Sequence, residues 1–167
     1  MRSAIDSGCN FFNAGEHYGT PEFNSQTLLA EFLGQYPEHA DKIVLSVKGA
    51  FDFATMKPDG SPEGLKKSID NILGALNGTK KIDVFECARV DPEVPLEVTL
   101  QYLDSEYVKT GIIGGVALSE VGAATIRRAA QITKIVAVEV ELSLWSTHIL
   151  ENGVAAACAE FDIPIVA

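Results

Sequence analysis

Short, nearly all-apolar runs alternate along this chain with longer stretches whose apolar residues recur every three or four positions. The first pattern predicts buried strands and the second predicts helices packed on them by one face. Met1–Ser7 reads as the last turns of a helix stopped by Gly8. A strand follows over Asn10–Asn13. After the turn Tyr18-Gly19-Thr20-Pro21, Asn24-Ser25 caps a helix carrying Leu28, Leu29, Phe32 and Leu33. Ile43–Lys48 is the second strand, and Phe51–Pro62, with Pro58-Asp59-Gly60, reads as a loop. Ser61 and Pro62 open a helix bearing Leu65, Ile69, Ile72 and Leu73, which Gly78 closes. The rest continues as strand Ile82–Ala88, helix Leu96–Lys109, strand Ile112–Leu118, helix Val121–Ala130 capped by Ser119, strand Ile135–Leu142, helix Ile149–Phe161 and strand Ile163–Ala167.

Strand and helix alternate with no hairpin signal, so the fold class is α/β with a parallel sheet and crossover helices. A doubly wound sheet and an eight-stranded barrel both satisfy that order. No GxGxxG follows the first strand, which weakens the dinucleotide-binding form of the doubly wound sheet. Polar residues gather at the strand ends Asn13, Lys48, Ala88-Arg89, Ser119-Glu120 and Glu139–Glu141, as they do where a barrel builds its site. A closed barrel takes about 250 residues. The expectation is therefore a partial (β/α)8 TIM barrel of six parallel strands, one incomplete domain spanning 1–167, short of material at both ends.

Composition changes little in this picture. Hydrophobic residues at 47% and charged ones at 22% describe an ordinary globular chain. The net charge of -10 argues against nucleic acid as a partner, because phosphate binding needs clustered cations. No apolar run reaches 18 residues and no signal peptide opens the chain, so neither a membrane nor secretion is expected. Cys9, Cys87 and Cys158 are scattered and form no CxxC or Cys/His cluster. Buried free thiols in the cytoplasm, without a metal site, are the expectation.

The stretch Asn10-Phe11-Phe12-Asn13-Ala14-Gly15-Glu16-His17-Tyr18-Gly19 carries the candidate chemistry: a strand, then a loop with a tyrosine. The next strand ends in Lys48. Reducing a carbonyl requires a proton donor, and a tyrosine donates poorly alone, since a phenol titrates near 10 in water. A neighbouring ammonium favours the phenolate, so Tyr18 beside Lys48 would form a competent general acid. The plainer alternative is that Tyr18 packs over the barrel mouth and Lys48 makes a structural ion pair. Asn13 bonds the lysine or a cofactor hydroxyl, or satisfies the turn backbone. Glu139 and Glu141 alternate with Val138 and Val140 and would share a strand face, where buried acids need partners. They sit on one strand rather than flanking a bond, which argues against a glycosidase. Trp145 is either a stacking wall for substrate or loop packing.

With these residues in view, the chain resembles the aldo-keto reductases. Asn10–Gly19, the strand ending at Lys48, Ile82–Asp91, Val108-Lys109-Thr110-Gly111, Leu118-Ser119-Glu120-Val121 and Ile163–Ala167 carry the likeness in order across the whole chain. Asn13-Ala14-Gly15-Glu16 and Cys87-Ala88-Arg89-Val90-Asp91-Pro92 look like the fungal pyridoxal reductase branch. The resemblance implies an NADPH-dependent reduction of an aldehyde, pyridoxal to pyridoxine in that branch. It makes Tyr18 the acid and Lys48 its activator, with Asn13 beside them. Ser119, Glu120 and Glu139 fall where relatives contact the nicotinamide carboxamide, and Arg89 and Trp145 are candidates for the substrate. The usual family aspartate is Asn13 here and the usual histidine is Ala88. Lys48 is accordingly expected to be less firmly fixed, and one hydrogen bond to the substrate oxygen to be missing. By the same likeness the first strand and the basic cofactor loop lie outside the chain. Two open sheet edges then invite self-association. The rival reading is a non-catalytic barrel fragment serving as a scaffold or regulatory subunit, and a more distant one is an unrelated α/β binding domain.

Overall fold

The computed structural model describes residues 1–20, 22–52 and 54–167; Pro21 of the expected turn and Phe53 of the expected loop lie outside the described residues. In chain order the elements are α1 (Arg2–Asp6), β1 (Phe11–Gly15), α2 (Ser25–Gln35), β2 (Val44–Gly49), β3 (Phe51–Asp52), β4 (Lys57–Pro58), α3 (Pro62–Leu76), β5 (Val84–Cys87), α4 (Leu96–Leu103), β6 (Val116–Ser119), α5 (Ala123–Ala130), β7 (Ile135–Glu139), α6 (Val154–Glu160) and β8 (Ile165–Val166). Short 3-10 turns lie at Pro37–Lys42 and His148–Leu150.

Six strands form one sheet in the order β1-β2-β5-β6-β7-β8, every pair parallel. The sheet curls strongly. In a flat sheet four strand spacings, about 19 Å, would separate β1 from β7. Yet the Asn13 amide on β1 donates directly to the Glu139 carboxylate on β7. Side chains of that length meet only if the sheet bends round on itself. The architecture is a curled half-barrel with helices outside, as the sequence implies.

The helix side of the sheet holds the main core. Leu45, Val47, Phe85, Leu118 and Val138 from the strands pack with Leu33, Ile69, Ile72, Leu100 and Ile126 from the helices, all at most 5% exposed. The concave side carries a smaller apolar cluster of Val84, Ala117 and Ala137, with polar residues above it. Among the described residues no helix is long and apolar enough to cross a membrane.

Several boundaries differ from the sequence reading, each for a local reason. The stretch read as loop contains an antiparallel hairpin, β3 with β4, so one hairpin does exist. The helix after β5 stops at Leu103 and continues as a π-helical turn over Asp104–Val108. The helix expected from Ile149 breaks at Gly153, which has φ 89°, and restarts at Val154, whose N–H is held by Asn152 Oδ1 at 3.1 Å. Ser119 does not cap a helix. It ends β6, and Gly122 takes the cap position of α5. β7 ends at Glu139, and the exposed Glu141 lies beyond it with its N–H bound by Glu120 Oε1 at 2.9 Å. Cys158 is buried and Cys87 partly so, but Cys9 is exposed rather than buried.

Candidate active site

Paired residues in neighbouring parallel strands face the same side, so the register names the concave rim. Gly15 pairs with Lys48 and Lys48 with Glu86, while Asn13 pairs with Ser46 and Ser119 with Glu139. Lys48, Glu86, Ser119 and Glu139 thus point inward at the C-terminal ends of their strands. Two of those ends are strained: Ala50, just after β2, and Glu120, just after β6, have φ of 57° and 52°. Non-glycine residues in this left-handed region cost on the order of 1–3 kcal/mol and gather at functional sites.

Tyr18 reaches this rim because β1 ends in glycine. A Cβ at Gly15 would lie 2.9 Å from three carbons of the Tyr18 ring, so the ring lies directly on the bare strand end. The loop is fastened from behind. Ser25 Oγ accepts the Gly15 N–H at 3.1 Å and donates to the Gly15 carbonyl at 3.0 Å. Ser68 and Asn71 of α3 donate to the two oxygens of Glu16 at 2.5 and 3.1 Å. The Glu16 N–H in turn donates to the Lys48 carbonyl at 2.8 Å. The His17 ring meets Tyr18 edge-on with centroids 4.9 Å apart. Burial and the charge of Lys48 push the His17 imidazole below its ordinary range.

Lys48 Nζ donates to Glu139 and lies 3.4 Å from Tyr18 Oη and 3.9 Å from Glu86 Oε1. Burial disfavours its charge, but the hydrogen bond to Glu139 and the charges of Glu86 and Glu139 outweigh that, and its pKa lies above the usual lysine value. The expectation of a loosely held lysine is therefore corrected. Without an aspartate at position 13, Glu139 supplies the counter-charge, and Asn13 holds Glu139 rather than Lys48. Glu86 is fully buried and is pushed up to about 8 by burial, then by the neighbouring Glu139.

The remaining expected residues are less closely gathered. Ser119 is buried, with Arg89 Nη1 3.5 Å from its hydroxyl, while the same guanidinium donates to the Ala88 carbonyl at 2.5 Å. Glu120 is exposed, and its carboxylate accepts the Glu141 N–H from the loop after β7. Trp145 is 97% exposed beside the equally exposed Leu144, so it neither packs in the loop nor lines a formed pocket. A groove of about 740 Å³ lies on the helical side between the Tyr18 loop, α2 and α3. It contains neither Lys48 nor Glu139. Sequence reasoning missed Glu86 and the anchoring role of Glu16. A lone acid within the apolar run Val84–Ala88 was the available signal for the first. Nothing local marked the second, whose partners are 52 and 55 residues away.

The model of the Aldo/keto reductase family matches residues 1–167. The chain belongs to that family. Among its relatives, "Probable pyridoxal reductase 2" of Schizosaccharomyces pombe is 47% identical over 168 residues, covering 100% of this chain and 50% of that protein. "Probable aldo-keto reductase 1" of Glycine max is 34% identical over 169 residues, covering 99% of this chain and 47% of its own length. The chain spans about half the length of the curated relatives it matches. A solved thermostable aldo-keto reductase, Tm1743 with the inhibitor epalrestat, superposes with a TM-score of 0.82 at 20% identity. It covers 99% of this chain and 57% of the other, a likeness of fold alone.

Proposed function

We propose that this chain carries the proton-donating half of an NADPH-dependent aldehyde reductase site, with pyridoxal as the substrate its fungal relative suggests. The observation that carries this reading is the 3.4 Å approach of a buried, ion-paired lysine to the Tyr18 hydroxyl. Tyr18 Oη gives its proton to the aldehyde oxygen. Lys48 stabilises the negative charge left on the phenol oxygen, and Asn13 with Glu139 keeps the lysine in place.

The rim fits the nicotinamide end of the cofactor. A carboxamide needs an acceptor for its N–H groups and a donor for its oxygen. The Glu139 carboxylate has lone pairs beyond its bonds to Asn13 and Lys48, and the Ser119 hydroxyl can donate. In this reading Ser119, Glu120 and Glu139 hold that group, and Arg89 and Trp145 contact the substrate. The chemistry NADPH supplies when bound is a hydride for the aldehyde carbon. Three free cysteines suit a reducing, cytoplasmic setting. Among the described residues the edge strands β1 and β8 are each paired on one side only, and we include self-association through them in the proposal.

The test is NADPH binding followed by NADPH oxidation with added pyridoxal. Saturable binding and turnover are expected, with Tyr18→Phe lowering kcat about 1000-fold while binding persists. No binding at millimolar NADPH would overturn the reading and leave a non-catalytic barrel fragment.

A further inference from the structure

One group on the rim is not used by the chemistry above. Glu86 is completely buried; as a carboxylate neither of its oxygens has a hydrogen-bond donor among the described residues, and only in its protonated form can it hydrogen-bond the neighbouring Glu139. It stands beside Lys48 in the sheet register, but 3.9 Å from Nζ is too long for a hydrogen bond, and the lysine bonds Glu139 instead. Its strand neighbours Phe85 and Cys87 are apolar and face the other side. The charged and titratable groups acting on it are Lys48 from β2, Glu139 from β7 and Arg89 from the end of its own strand. Tyr18 and His17 reach the same lysine from the loop after β1.

We propose that Glu86 is a positioning residue for the Tyr18–Lys48 pair: neutral, it leaves the ammonium to Glu139 and Tyr18, and ionised, it draws the ammonium back towards β5. This deepens the reductase reading and rests on it for its consequence in turnover. A buried carboxylate with no hydrogen bonds is costly, whereas the neutral acid is tolerated. With Glu86 neutral, one carboxylate balances one ammonium. With Glu86 charged, two carboxylates compete for it, and less positive potential remains for a phenolate at Tyr18. The group is neutral below about 8 and charged above it, so proton donation by Tyr18 weakens as pH rises through that value.

The same burial couples Glu86 to folding. The group holds its proton in the folded chain from its ordinary 4.5 up to about 8, and loses it in the unfolded chain across that window. The unfolded state thus binds fewer protons there, and stability falls as pH rises from about 4.5 to about 8.

Glu86→Gln keeps the shape and fixes the neutral state. The expected result is a wild-type kcat/KM for pyridoxal that declines about tenfold per pH unit above about 8, with that limb absent in Glu86→Gln and the plateau preserved within about threefold. The thermal-midpoint advantage of the variant should also grow between pH 5 and 8. A variant slower at every pH with the limb intact would assign Glu86 a merely structural role and overturn the proposal. A second readout needs neither turnover nor the variant. Carbon-13 titration of glutamate carboxyl groups in the wild-type chain should show one near 8, with the Tyr18 Cζ resonance shifting in step. If every glutamate titrates in the ordinary acid range, or Tyr18 does not follow, the proposal fails. If the coupled titration is present but pyridoxal is not reduced, it is the reductase reading that fails.

Discussion

The two ends of the concave rim are built differently. At the β1–β2–β5 end, Tyr18 lies on Gly15, its loop is tied to α3 through Glu16, and Lys48 is held by Glu139. At the β6–β7 end, Ser119 has a 3.5 Å approach from Arg89, Glu120 bonds a loop backbone, and Trp145 stands in solvent. The proposed acid pair is pre-organised by contacts within this chain, Glu139 among them, whereas Glu120 is turned to the loop after β7 and Trp145 to solvent. Pre-organisation matters most where charge develops during reaction, because a fixed dipole need not reorient then. Binding contacts can still form when the ligand arrives.

Substitutions at the ordered end should therefore cost stability as well as activity, and those at the loose end should cost neither until a ligand is present. The largest effect is expected from Lys48→Met, which strands Glu139 without its cation. Breaking a buried pair costs about 3 kcal/mol, while Glu86, neutral below about 8, adds no second stranded charge at neutral pH; denaturant unfolding measures the loss. An unfolding midpoint unchanged by this substitution would mean that the ordered end is no more integrated than the other. Gly15→Ala comes next. The added methyl displaces the Tyr18 ring at a cost of about 1–3 kcal/mol, and turnover should fall further than stability does. Trp145→Ala marks the lower limit: at 97% exposure its removal should shift stability by less than about 0.5 kcal/mol. A larger destabilisation would show that the β7–α6 loop is packed, erasing the contrast.

What could be read from the sequence follows the range of the interactions. Strands such as Ile43–Lys48 declare themselves by composition, and the Asn24 and Ser61 caps are local signals that the structure repeats, one as a reciprocal capping box and one as a side-chain bond to Gly64 N–H. Boundaries set by a single turned residue, Gly153 or Glu120, were displaced because strand and helix patterns run through such residues without a break. The site was half legible. Tyr18, Lys48 and Asn13 lie near one another in the reading because strand ends converge in this class of fold. The pairing of Lys48 with Glu139 spans 91 residues, and which acid would answer the lysine depends on how far the sheet curls. No one-dimensional pattern encodes that.

The bond network at Glu139 has a geometric meaning beyond the site. The backbone ladder joins only adjacent strands and permits a range of curvature, whereas Glu139 ties β7 directly to β1 and β2, like a chord spanning an arc. Shortening or releasing a chord changes the radius of the whole arc. The groups that set the lysine's charge balance are therefore the same ones that set the bend of the sheet, and the molecule's shape and the state of its candidate site vary together as one coordinate.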